Sequence, residues 1–180
     1  ENILNKYFQG KKNGIVLEAG ARDGLIDSNS RWLIENFGWT GVLVEPDSRQ
    51  FTKLQENYNN HPDDKKHLVR AALYNKDGIE LDLHLAENTT LKDQWGHSTV
   101  SEQFKNRAIA AAPVHFPTTE KVKTVTVTSL LNELGIDYID YVSIDCEGAD
   151  LYALQGIDFN ATTIDLISFE PSMNVEEITS

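Results

Sequence analysis

The chain has 180 residues, 40% of them hydrophobic and 24% charged, with a formal net charge of -12 at pH 7. That length closes one substantial core, and the balance is that of a globular chain rather than a disordered or fibrous one. The acidity, with 16 Lys and Arg residues scattered along the chain, excludes the clustered basic surfaces that hold phosphate backbones or anionic lipid, so neither nucleic acid nor membrane is expected as a partner.

Cys146 is the single cysteine, which rules out an intrachain disulfide and a cysteine-rich zinc site. Apolar runs fall short of the roughly 18 residues of a spanning helix, and the first residues lack a charged-then-apolar secretion pattern. The expected setting is cytoplasmic, and the oligomeric state is not legible.

Short runs rich in Val, Ile and Leu alternate with longer amphipathic stretches, the pattern of βαβ units around a buried parallel sheet. The expected class is therefore α/β, in one domain over 1–180. A first strand at 15–17 runs into Glu18-Ala19-Gly20-Ala21-Arg22-Asp23-Gly24, and a helix opens near 28–30 on a Ser or Asn cap, carrying Trp32, Leu33 and Phe37. The second strand, 41–45, ends in Glu45, and Pro46-Asp47 turns into a helix bearing Phe51, Leu54 and Tyr58.

A third strand is expected at 67–73, then a turn at Asn75-Lys76-Asp77-Gly78 and an alternating strand at 79–85 that suits an antiparallel addition. Residues 86–120 are polar and read as a long loop or partly helical insertion, with one short helix near 102–110; such segments are uncommon unless they serve a site or are disordered. Strand resumes at 122–127, followed by a helix at 129–134, a strand at 140–145, a helix at 149–154 and a last strand at 164–170.

In open α/β sheets ligands sit beyond the carboxyl ends of the strands. There the sequence offers three constellations. The glycine turn after the first strand lets a backbone approach a ligand closely, although a plain tight turn would look the same. Glu45, ending the next strand, is placed to accept hydrogen bonds from both ribose hydroxyls of an adenosine, against the plainer role of a helix-start charge. No full G-x-G-x-x-G is present, and Glu18 and Asp23 would repel a pyrophosphate while suiting the sulfonium and amino group of S-adenosylmethionine. The pocket therefore reads as one for that methyl donor rather than for NAD.

The third constellation is Ser143-Ile144-Asp145-Cys146-Glu147-Gly148-Ala149-Asp150, with Glu170 at the same edge. A carboxylate there could deprotonate an attacking hydroxyl directly or through a bound divalent metal; the competing reading has Asp145 capping the next helix. His97, beside Gly96 and Ser98, joins Asp145 and Glu147 as a catalytic candidate, against the plainer solvated loop histidine. Trp95 is open to an acceptor contact, whereas Trp32 and Trp39 are expected in the core. The acids around Cys146 should blunt its thiol.

Glu18-Ala-Gly-Ala-Arg-Asp-Gly24 with Ser28-Asn29-Ser30, then Gly38-Trp39-Thr-Gly41-Val-Leu-Val-Glu45-Pro46, resembles the opening of FkbM-type methyltransferases. The stretches Val125-Thr-Val-Thr-Ser-Leu-Leu131 and Ile139-Asp140-Tyr-Val-Ser-Ile-Asp145-Cys-Glu147-Gly148 resemble that family's second block. The resemblance implies a Rossmann-like class I methyltransferase fold, a mostly parallel sheet flanked by helices, with S-adenosylmethionine as cofactor and a small-molecule hydroxyl, on a sugar or natural product, as acceptor. By position it implies that Glu18, Gly20, Ala21, Asp23 and Gly24 hold the methionine end of the donor with Asn29 close by. It likewise implies that Glu45 and Pro46 hold the ribose, Ala71 and Ala72 the adenine, and that Asp145 and Glu147 face the methyl. Such folds usually continue into a helix and a closing β-hairpin; with ten residues after Glu170, the expectation is a sheet that lacks the hairpin. Two rivals stand beside the enzyme: a non-catalytic donor-binding or scaffold module, and an NAD-dependent oxidoreductase.

Overall fold

The computed structural model describes residues 2–88, 97–111 and 113–170. In chain order its first half contains α1 (Asn2–Phe8), β1 (Ile15–Ala19), α2 (Arg31–Phe37), β2 (Thr40–Val44), α3 (Ser48–Asn57), β3 (Lys66–Val69) and β4 (Ala72–Leu73). The second half contains β5 (Glu80–Asn88), α4 (Glu102–Ala111), β6 (Val114–Val125), α5 (Val127–Glu133), β7 (Tyr138–Ile144), α6 (Asp150–Gln155) and β8 (Thr163–Phe169).

Five strands form a parallel sheet in the order β3-β2-β1-β7-β8. Both faces are covered, as the apolar runs demand, because side chains alternate across a strand. Leu17, Ala19, Val42, Val44, Val142 and Ile144 point to one side, where Leu130 and Leu131 of α5 and Ala153 of α6 pack on them. Val16, Leu43 and Tyr141 point to the other, against Leu33 and Ile34 of α2 and Leu54 of α3. Gly38 ends α2 in a left-handed cap whose N–H donates to the Ile34 carbonyl, which turns Trp39 into this second cluster. There the indole is fully buried and its N–H donates to the Lys11 carbonyl at 2.8 Å. Trp32 packs against the same cluster, so both tryptophans serve the core.

A second sheet, β4-β6-β5, stands beside the first. It corrects two sequence expectations. The run at 67–73 is not one strand: β3 ends at Val69, and after Arg70 and Ala71 the chain enters the other sheet as β4. Nor is 86–120 mostly loop, since β5 reaches Asn88 and β6 begins at Val114 and pairs with it antiparallel. β6 contains Pro117, and proline cannot donate to a ladder. The register shifts between Leu85 and Glu87, which pair with Thr118 and His115, so Phe116 and Pro117 fall at a bulge where no ladder donor is required. The expected antiparallel addition and the helix near 102–110 are both present, and α1 was not foreseen. The last described strand is β8, and any hairpin beyond it lies outside the described residues.

Candidate active site

Parallel strands whose registers coincide end together. Val69, Val44, Ala19, Ile144 and Phe169 form one row across the large sheet, so Arg70, Glu45, Gly20, Asp145 and Glu170 emerge side by side at strand spacings of about 4.8 Å. The ladder extends one step further: Glu45 N donates to Val69 O, Gly20 N to Val44 O, Asp145 N to Ala19 O and Glu170 N to Ile144 O, at 3.0 to 3.2 Å. Between β1 and β7 the strand order reverses, and ligand crevices of α/β sheets form at that point.

A solvent-open cleft occupies this edge. Gly20, Arg22, Glu45, Pro46, Asp145 and Glu147 supply its polar lining; Ala71, Ala72, Leu73, Leu83 and Val100 supply an apolar wall. Gly20 has φ of 77°, and a Cβ there would lie 1.9 Å from the Asp145 carbonyl oxygen. Only glycine lets the turns after β1 and β7 pass so closely.

Glu45 is 4% exposed. One carboxylate oxygen accepts from Arg22 N and the other from Asp47 N, both at 2.8 Å. Burial nevertheless dominates, and it pushes the carboxyl up to about 8. Asp47 itself caps α3 by accepting from Arg49 N at 2.9 Å and holds the Arg49 guanidinium and the Ser98 hydroxyl. Burial opposes its ionisation, but these partners outweigh it and lower the pKa.

Of the predicted residues, Gly20, Glu45, Pro46, Ala71, Ala72, Asp145 and Glu147 line the cleft together. Glu18, Ala21, Asp23, Gly24, Asn29 and His97 do not. Glu18 is buried; it accepts from the hydroxyls of Ser28 and Ser30 and, at 2.6 Å, from Asn29 N, and burial raises its pKa. That is why Ser30, the residue before α2, makes no side-chain cap. Asp23 accepts from Leu25 N and Ile26 N at 2.9 Å, and Asn29 donates to Ser143 Oγ at 3.1 Å. These residues shape the loop behind the cleft, and their carboxylates are already engaged there.

The turn after β7 carries a cluster of acids. Asp145 Oδ1 is buried and accepts no hydrogen bond among the described residues. Burial first, then the charges of Glu147 and Glu170, pushes this carboxyl up to about 7. Asp145 does not cap α6, whose N-cap residue Ala149 makes no side-chain cap bond; Asp150, the first helical residue, ties back the turn by accepting from Cys146 N at 3.1 Å and Gly148 N at 3.2 Å. Asp145, Glu147 and Glu170 each offer a carboxylate oxygen within 4.8 Å of the others, a hard oxygen set that could hold a divalent cation. Burial drives the Cys146 thiol well above its ordinary value, in line with the expectation that it is no nucleophile.

Fifty residues before Glu147 in the chain, His97 bonds through Nδ1 to Glu147 Oε1. That hydrogen bond raises the imidazole pKa against the opposing effect of burial. The sequence named both residues separately and gave no signal of their pairing. It missed Arg22, Leu73, Leu83 and Val100 in the cleft lining as well, since three of them belong to the second sheet or its margin. Trp95 lies outside the described residues. No helix among the described residues is long and apolar enough to cross a membrane.

Two comparisons with known proteins bear on this site. The sequence model of a family described as the methyltransferase FkbM domain matches residues 18–179. The chain is also similar to 2-O-methyltransferase NoeI of Sinorhizobium fredii (strain NBRC 101917 / NGR234), at 25% identity over 147 residues. That match covers 81% of this chain and 58% of the relative, so the chain spans little more than half of the relative's length.

Proposed function

The chain belongs to the FkbM methyltransferase family, and on that premise we propose that it transfers the methyl group of S-adenosylmethionine to a hydroxyl of a sugar or natural-product-like small molecule. The observation that carries this reading is the common level at which β1, β2 and β7 end, which gathers Gly20, Glu45 and Asp145 around one cleft. The name of the relative, a 2-O-methyltransferase, favours oxygen as the accepting atom.

The cleft fits the donor. Among the described residues Glu45 accepts one backbone N–H per oxygen, which leaves lone pairs for two ribose hydroxyls. Ala71, Ala72, Leu73 and Leu83 offer an apolar slot for the adenine, and Asp145 and Glu147 put negative charge where a cation is favoured. When bound, S-adenosylmethionine supplies an electrophilic methyl carbon on a positively charged sulfur. His97 takes the acceptor's hydroxyl proton on Nε2 as the new oxygen–carbon bond forms and the carbon–sulfur bond breaks. Glu147 holds Nδ1–H of the same ring and stabilises the imidazolium, as the acid does in a catalytic triad. The products are the methylated acceptor, S-adenosylhomocysteine and the proton on His97. The cleft contributes chiefly by holding the two partners in line.

The carboxylate set of Asp145, Glu147 and Glu170 supports a second element, a divalent cation that would lower the pKa of an acceptor hydroxyl. Turnover with and without a chelator decides between that and the histidine acting alone. The function as a whole is tested by calorimetric titration with S-adenosylmethionine, S-adenosylhomocysteine and NAD, followed by radiolabelled methyl transfer to a panel of sugars. Selective binding of the first two with label transfer is the expected result. Binding without transfer would favour a donor-binding scaffold, and a preference for NAD would overturn the donor reading.

A further inference from the structure

The turn that carries Glu147 is strained. Glu147 has φ of 48° and Gly148 φ of 95°, and a non-glycine residue in the left-handed region costs about 1 kcal/mol or more unless its surroundings hold it there. Those surroundings come from the segment that brings in His97. Thr99, 1% exposed, donates from Oγ1 to the Glu147 carbonyl at 2.7 Å and accepts on the same oxygen from Ser101 N at 2.9 Å. Its own backbone pairs both ways with His84, at 2.8 and 3.0 Å. Ser98 adds a second anchor, accepting from Ala86 N at 3.1 Å and donating to Asp47 Oδ2 at 2.7 Å. At Gly148 a Cβ would come within 2.8 Å of Phe104 and 3.1 Å of Ser101, so the same segment closes over the turn.

A peptide held by its carbonyl cannot rotate, and the rotation of that peptide is what would relieve the left-handed residue and swing the Glu147 side chain away from the imidazole. We infer that Thr99 is a positioning residue: its hydroxyl fixes the Glu147 backbone in the left-handed conformation, which aims the carboxylate at His97 Nδ1 and thereby sets the ring as the Nδ1–H tautomer. Resting on the histidine-base reading above, this assigns a determinant of the ring's orientation and tautomer to a buried side chain that lines no part of the cleft.

The test reads the tautomer directly. Protein labelled with nitrogen-15 histidine and freed of metal by chelator is recorded at a pH where the rings are neutral, with the His97 signals assigned by their absence in His97→Gln. Wild type should show Nδ1–H at His97. Thr99→Val, which keeps the shape and loses the hydroxyl, should lose that preponderance, and Thr99→Ser should restore it. S-adenosylhomocysteine, titrated calorimetrically, should bind all three alike. An Nε2–H ring in wild type overturns the inference whether or not Thr99→Val folds, and so does an unaltered tautomer in a folded Thr99→Val. Failure of every form to bind S-adenosylhomocysteine while the tautomers behave as expected would instead sink the donor reading and leave Thr99 in place.

Discussion

Replacing Glu45 by Gln removes one charge and no volume, yet two separate losses should follow. The wild-type carboxylate answers two buried donors, Arg22 N and Asp47 N, one on each oxygen. Glutamine has a single oxygen, so its amide group must face one of those N–H groups, leaving a buried donor unsatisfied at a cost of about 1–3 kcal/mol in fold stability. Donor binding loses charge-assisted hydrogen bonds to the ribose, about 1.5–3 kcal/mol, which is roughly a tenfold to 150-fold weaker affinity. Because burial pushes Glu45 up to about 8 in the unliganded protein, engaging its ionised form at neutral pH should also expel a proton. Calorimetry with S-adenosylhomocysteine in buffers of different ionisation enthalpy measures both affinity and that release, and thermal melts measure stability. Glu45→Gln should show weaker binding, a smaller proton release and a lower melting temperature. A variant that melts earlier but binds like wild type would show that Glu45 only holds its loop and that the ribose lies elsewhere.

Substituting Gly20 by Ala should abolish donor binding and lower the melting temperature, because the new Cβ meets the Asp145 carbonyl at 1.9 Å and φ is 77°; an unperturbed variant would mean that the two turns can separate freely. His97→Gln should slow methyl transfer by on the order of 10²–10⁴-fold while leaving S-adenosylhomocysteine affinity intact, and undiminished turnover would remove the histidine as base. Stability of the unliganded protein should fall as pH rises. Glu45 moves from 4.5 to about 8 on folding and Asp145 from 3.8 to about 7, so the folded state holds protons that the unfolded state has released. Their contribution is full below the unfolded values and is lost as pH climbs through the folded ones. Melts across that window should flatten in Glu45→Gln; a wild-type stability that rises over the same range would contradict the assigned burial.

The sheet was legible because its strands are buried on both sides and read as unbroken apolar runs ending in an acid or a glycine. Glu45, Gly20 and Asp145 could therefore be named before any contact was known. The structure turns Glu18 away from the cleft lining for a physical reason: a carboxylate at a strand end can face the ligand or fold back onto nearby hydroxyls, and Ser28 and Ser30 take it. Composition carries no direction. The small sheet was hidden by its polarity, since β6 exposes many of its residues and contains Pro117, which a bulge accommodates. The pairing of His97 with Glu147 joins residues far apart in the chain and depends on how residues 97–104 settle against the turn. No periodicity encodes that.

Arg70 and Ala71 are all that separates the two sheets, and the apolar wall of the cleft stands on this joint: Ala71 and Ala72 sit at it, with Leu73 from β4 and Leu83 from β5 beside them. The second sheet thus shares a wall with the slot proposed for the donor's adenine. Laboratory evolution directed at β5 and β6 should therefore meet a trade-off, in which changes that repack Leu83 to stabilise the second sheet also alter the affinity for the proposed methyl donor. Outward-facing positions on those strands are the ones where the two properties can be separated.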